Sequence, residues 1–156
     1  MDNYFNKLIN KLPLVIDGEW IKKNSNYESG LCECVGWNKV LTRYYDATVD
    51  TFKIEIKKGK SIWLDLVRYS EIVLGKGDED TITAFFVPNN DRTEIVNIYF
   101  VKTKSIIDFL RIDKISAEYI LSLNEQLPHS LNCQASITLA DVKRLAFYTY
   151  NSNNIF

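Results

Sequence analysis

A chain of 156 residues, 46% hydrophobic, 13% aromatic and 25% charged, has the length and apolar content of one ordinary domain, so residues 1–156 are expected to share a single core. Its mixed charge excludes a disordered chain, and no apolar run approaches the ~20 residues of a membrane-spanning helix. The formal net charge of −1 is far from the basic balance of a non-specific nucleic-acid binder, yet leaves room for an enzyme with a carboxylate site and a basic groove.

The first segment carries Phe5, Leu8, Ile9 and Leu12 at helical spacing and stops at Pro13. It lacks the basic-then-apolar pattern of a secretion signal, and Cys32, Cys34 and Cys133 cannot form a disulfide framework; both point to a cytoplasmic protein. Residues 14–30 are ambiguous, with Asn24–Asn26 and Glu28–Gly30 reading as exposed loop. Val40–Tyr45 reads as extended. From Phe52, apolar Phe52, Ile54 and Ile56 alternate with Lys53, Glu55 and Lys57, the period of a strand with one face on the core. Glu55 and Lys57 then share the opposite face, about 7 Å apart. Ser61–Leu74 reads as a helix capped by Ser61, with Ile62, Leu66, Tyr69 and Val73 on one face. Ile82–Val87 and Ile95–Val101 are β-branched and aromatic with little alternation, as in strands covered on both faces. Pro88–Asp91 makes the turn between them. Helices follow over Ser105–Leu110 and Ser116–Leu127, and Thr138–Asp141 has capping-box spacing before a last helix through Phe147. This order predicts an α/β (α+β) fold, a mixed central sheet flanked by helices.

Asp46, Glu55 and Lys57 form the pattern D-x8-E-x-K. Hydrolysis of a phosphodiester calls for a divalent cation that neutralises the phosphate and lowers the pKa of an attacking water. Mg²⁺ takes an octahedral shell of oxygens, some from carboxylates. Acids at the start of one strand and midway along the next can converge on one ion, helped by a backbone carbonyl, and a lysine two residues on shares the second acid's face, where it can orient water or stabilise the phosphorane. Context separates this triplet from Asp141-Val142-Lys143, which sits at a helix start. Read without function, Glu55 and Lys57 are solvent-facing residues of an edge strand.

The step Asp46-Ala47 leading to Glu55-Ile56-Lys57, followed by the acidic-aliphatic strand Glu94–Tyr99, resembles the PD-(D/E)XK nuclease superfamily, and within it the small type II restriction endonucleases. The likeness covers residues 44–110 in layout and D…E-x-K at motif level. It implies a restriction-endonuclease-like fold and a homodimer that cuts double-stranded DNA at a short palindromic site with Mg²⁺. Asp46 and Glu55 would be metal ligands with the Ile56 carbonyl as a third, Lys57 the catalytic lysine, and Lys58, Lys60 and Ser61 contacts to DNA. Tyr45 stands where the nominal proline would be, and Lys58 where a small polar residue is common. Asp50 rivals Asp46 as first acid, and Glu28 or Glu33 can serve as an auxiliary acid from an early helix.

Cys32, Cys34, His129 and Cys133 offer four zinc ligands at unusual spacing, against the plainer reading of free thiols and a loop histidine. No nucleophile elbow or phosphate-cradling glycine loop is present. Trp20, Trp37 and Trp63 read as core or interface residues. Base readout is expected from the stretches 24–38, 76–92 or 129–138. A non-catalytic binding module, such as a small inhibitor or immunity protein, is the alternative from another class, and a repair or RNA-processing nuclease is a third reading.

Overall fold

The alternation that begins at Phe52 makes a strand whose inner side chains, Ile54 and Ile56, are fully buried. In the computed structural model, which describes residues 14–15, 27–59, 62–91, 94–126 and 133–151, the elements in chain order are β1 (Leu14–Val15), α1 (Tyr27–Val35), β2 (Asn38–Lys39), β3 (Ala47–Val49), β4 (Phe52–Lys58), β5 (Ile62–Asp65), α2 (Leu66–Val73), β6 (Ile82–Pro88), β7 (Glu94–Lys102), α3 (Thr103–Leu110), α4 (Lys114–Gln126), β8 (Gln134–Ile137), α5 (Leu139–Leu145) and β9 (Tyr148–Asn151). The fold is mixed α/β. Seven strands form the main sheet in the order β1-β7-β6-β4-β3-β2, with β9 also on β7, and β5 and β8 form a separate ribbon.

Among the described residues only β4 and β6 pair in parallel; the other neighbours are antiparallel. A parallel pair requires a crossover, and β5 with α2 supplies it. All residues of β6 are buried, as expected of its unalternating β-branched and aromatic run. One sheet face carries Ile54, Ile56, Ala84, Phe86, Ile98 and Phe100 against Leu31, Cys32 and Val35 of α1 and against Trp37. The other carries Phe85, Val87, Tyr99 and Val101 against α2, α3, α4, α5 and the ribbon. Trp37 meets Phe86 and Phe100 edge-on, centroids 5.8 and 6.2 Å apart, so it is a core residue, whereas Trp63 is exposed. Among the described residues no helix is long and apolar enough to cross a membrane.

Several local expectations change. The helix expected over Ser61–Leu74 is a strand and then a helix: Ile62 and Leu64 are buried while Trp63 between them is exposed, because Ile62–Asp65 pairs in register with Gln134–Ile137. The cap is therefore Asp65, accepting from Val67 N–H at 3.0 Å. Residues 27–30, expected as loop, open α1, whose Leu31, Cys32 and Val35 give it an apolar stripe. Val40–Tyr45 is not a strand but a loop, closed by Val40 N–H to the Asp46 carbonyl at 2.9 Å. The last helix ends at Leu145, and Phe147 N–H bonds the Phe100 carbonyl at 2.9 Å, so the chain turns from helix into β9. Thr138 does cap α5, accepting from Asp141 N–H at 3.1 Å. The helix expected over Phe5–Leu12, with Trp20 and Asn24–Asn26, lies outside the described residues.

Candidate active site

The β3–β4 ladder is short. Ala47 pairs Ile54, Thr48 pairs Lys53 and Val49 pairs Phe52, and past Ile54 the strand β4 keeps β6 on one side with β3 gone from the other. Asp46 N–H still reaches the Ile54 carbonyl at 2.9 Å. The next ladder donor on that side, Ile56 N–H, is taken instead by the Asp46 carboxylate at 2.7 Å. A strand residue projects its N–H and C=O to the same side, so the Ile56 carbonyl opens into the notch that Asp46 lines.

One further acid reaches this notch, and another lies near Lys57. Glu28, in the first turn of α1, meets Asp46 through a side-chain hydrogen bond, and burial together with Asp46 pushes the Glu28 carboxyl above its ordinary range. Lys39 on β2 answers it, 3.6 Å from Glu28 Oε2, while donating to the Val40 carbonyl at 2.9 Å. Asp65, before α2, faces Lys57.

Glu55 and Lys57 do share a face of β4, but that face is not open to solvent as on an edge strand. β4 is interior, and the Glu55 side chain is 3% exposed. Its carboxylate is ion-paired with the Arg68 guanidinium of α2, and Lys57 Nζ lies 3.7 Å from Oε1. Burial pushes the Lys57 ammonium below its ordinary range, against the pull of Asp46, Asp65 and Glu28.

Of the residues singled out from sequence, the fold brings Asp46, Glu28 and the Ile56 backbone together, with Lys57 within electrostatic reach of both acids; Glu55 lies beside Lys57 but is paired with Arg68. Glu33 is exposed on α1, away from it. Asp50 sits exposed in the β3–β4 turn with φ 51°. Lys58 is half-buried; Lys60 and Ser61 lie outside the described residues. Lys53 points elsewhere, to Asp78 at 2.5 Å. Cys32 and Cys133 are buried free thiols, and burial pushes the Cys32 thiol up to about 11; His129 and the Cys34 side chain lie outside the described residues. Sequence reasoning missed Arg68, Lys39 and Asp65. Nothing in the order of residues announces Arg68, which is thirteen positions from Glu55 on a different element.

The oxygens of Glu28 and Asp46 suit a hard divalent cation. Burial first and the neighbouring Asp46 second raise the Glu28 carboxyl, and a bound cation would offset both, so these residues fit the ion. Among the described residues no three Asp, Glu, His or Cys side chains are gathered as one metal-holding group, and the Glu55 carboxylate is paired with Arg68. Comparison with family models, with curated proteins and with solved structures gives no match to this chain.

Proposed function

We propose that this chain is a Mg²⁺-dependent endonuclease that hydrolyses phosphodiester bonds of double-stranded DNA, a PD-(D/E)XK enzyme resembling the small type II restriction endonucleases. The observation that carries the reading is the Asp46 carboxylate on Ile56 N–H at the point where β3 leaves β4. That one bond supports the reading because it sets an acid beside a strand carbonyl, with Glu28 next to Asp46 and Lys57 within electrostatic reach of both; on this reading Glu55 joins them when the cation binds. Asp46, Glu28, Glu55 and the Ile56 carbonyl would hold Mg²⁺, which when bound supplies a Lewis acid for the phosphate and a water of lowered pKa. Lys57, pushed toward its neutral form by burial, is placed to orient that water or take its proton, and as ammonium to steady the charge growing on the phosphate.

Lys58, Lys60 and Ser61 directly follow Lys57 and would meet backbone phosphates. Beyond them the ribbon exposes Trp63, Gln134 and Ser136, side chains suited to a groove of the duplex. A two-fold homodimer, acting in the cytoplasm, would place one site on each strand of a palindrome.

The test is incubation of the purified chain with plasmids of differing sequence and Mg²⁺. The reading requires discrete fragments that vanish with EDTA and with Asp46→Asn. Plasmid left intact by the wild-type chain in Mg²⁺ and in Mn²⁺ overturns it in favour of a non-catalytic binding module.

A further inference from the structure

Arg68 stands in the first turn of α2, behind the Asp65 cap. Free N–H groups and the helix dipole favour anions there and disfavour a cation. The first turn of α2 has no acid of its own, so the partner that holds Arg68 in place is on another element: Glu55 of β4. The two side chains are unequally covered, Glu55 at 3% exposure and Arg68 at 27%. The acid is sealed in, and the guanidinium is partly open to solvent. A carboxylate so buried needs a positive partner, and Lys57, itself largely buried, is 3.7 Å away.

Resting on the nuclease reading, we propose that Arg68 is a positioning residue with two partners. It neutralises Glu55 while the notch holds no divalent cation, and moves to a backbone phosphate of the bound duplex once a cation takes that carboxylate. Glu55 has a positive partner in both states. On release the guanidinium seeks an anion, and its planar fork matches phosphate. At a helix start, the dipole that disfavours the arginine favours the phosphate brought to it.

Two measurements on the full chain test this, at fixed ionic strength. In the first, Mn²⁺ is titrated calorimetrically into DNA-free wild type, Arg68→Ala and Arg68→Lys. With its competitor removed, Arg68→Ala is expected to bind Mn²⁺ about tenfold more tightly than wild type, with Arg68→Lys between them. In the second, affinity for a duplex oligonucleotide is read by fluorescence anisotropy in Ca²⁺ and in EDTA. Arg68→Ala is expected to lose about tenfold in Ca²⁺ and nothing in EDTA, where Glu55 already occupies the arginine. A contact that were merely structural would not show that dependence on the cation. Should Arg68→Ala fail to fold, wild type and Arg68→Lys suffice: Mg²⁺ must shift the wild-type arginine Nε–H resonance that disappears in Arg68→Lys. Unchanged or weaker Mn²⁺ binding in Arg68→Ala, equal loss of duplex affinity with and without Ca²⁺, or an unmoved resonance overturns the proposal. A wild type that cuts plasmid yet gives those results overturns this proposal alone. A wild type that neither binds Mn²⁺ nor cuts overturns the nuclease reading with it.

Discussion

Lys57 lies on β4 with only 21% of its side chain exposed, and burial holds its ammonium below the ordinary lysine range. A lysine whose native pKa lies below its unfolded value binds fewer protons when folded, so its charge opposes folding at neutral pH, and the opposition fades as pH rises toward 10.5. Lys57→Met is therefore expected to raise the melting temperature at pH 7 by about 2–4 °C, while on the proposed nuclease reading cleavage falls by at least ~10²-fold. Thermal melts beside a plasmid assay check both; a destabilised variant would instead mark Lys57 as a structural residue. Glu28 has the opposite linkage. Its carboxyl is raised by burial and by Asp46, so the stability linked to its proton is present below the ordinary value of 4.5 and is lost as pH rises through the native value. Glu28→Gln is expected to flatten that loss and to melt higher than wild type at pH 7 without divalent cations. Melts from acid to neutral pH check it, and an unchanged slope would mean that Glu28 and Asp46 do not share the notch.

At the scale of elements, α2 organises the site from two positions one turn apart. Arg68 reaches Glu55, and Glu71 holds the loop that leads into Asp46: Arg43 is paired with it, and Tyr44 Oη donates to it at 3.0 Å. Burial pushes the Glu71 carboxyl up, but the hydrogen bonds from Arg43 and Tyr44 outweigh it and leave the group below its ordinary range. Glu71→Ala is expected to destabilise by about 1–3 kcal/mol, an effect present at neutral pH and lost as pH falls through the native Glu71 value. On the proposed nuclease reading it should also weaken cleavage, because the loop from Val40 to Asp46 loses its anchor. Chemical denaturation at pH 7 and at acid pH checks the sign; a loss of equal size at both would assign it to packing. Elements were unequally legible in the sequence. β4 was readable because its alternation admits one period. Ile62, Leu66, Tyr69 and Val73 fit a helix, yet Ile62 and Leu64 also fit a strand, and the ambiguity is broken by β8, some seventy residues away. The helix α1 hid behind Gly30 and a polar approach, its stripe of Leu31, Cys32 and Val35 too short to stand out.

For the whole molecule, a cation that binds the folded notch and not the unfolded chain must stabilise the fold by mass action. At about a hundred times its dissociation constant the gain is about 2.7 kcal/mol, so Mn²⁺ is expected to raise the melting temperature of the wild-type chain and not that of Asp46→Asn. Equal shifts in both would place the ion elsewhere.

What the residue order determined by itself was local: the strand of Phe52–Lys58 and its two faces, the doubly covered strands β6 and β7, the turn between them, and the Thr138 cap. Each follows from period, β-branching or a side chain bonding to its own neighbours. The sequence also contained the acids of the notch but could not rank them. Asp46 is set apart from Asp50 by where β3 ends, and Glu28 from Glu33 by which side of α1 meets β4. Arg68 is joined to Glu55 by the crossover that lays α2 over the sheet. These choices are between groups distant along the chain, and charge and hydrogen bonding act through space, so only the tertiary structure decided them.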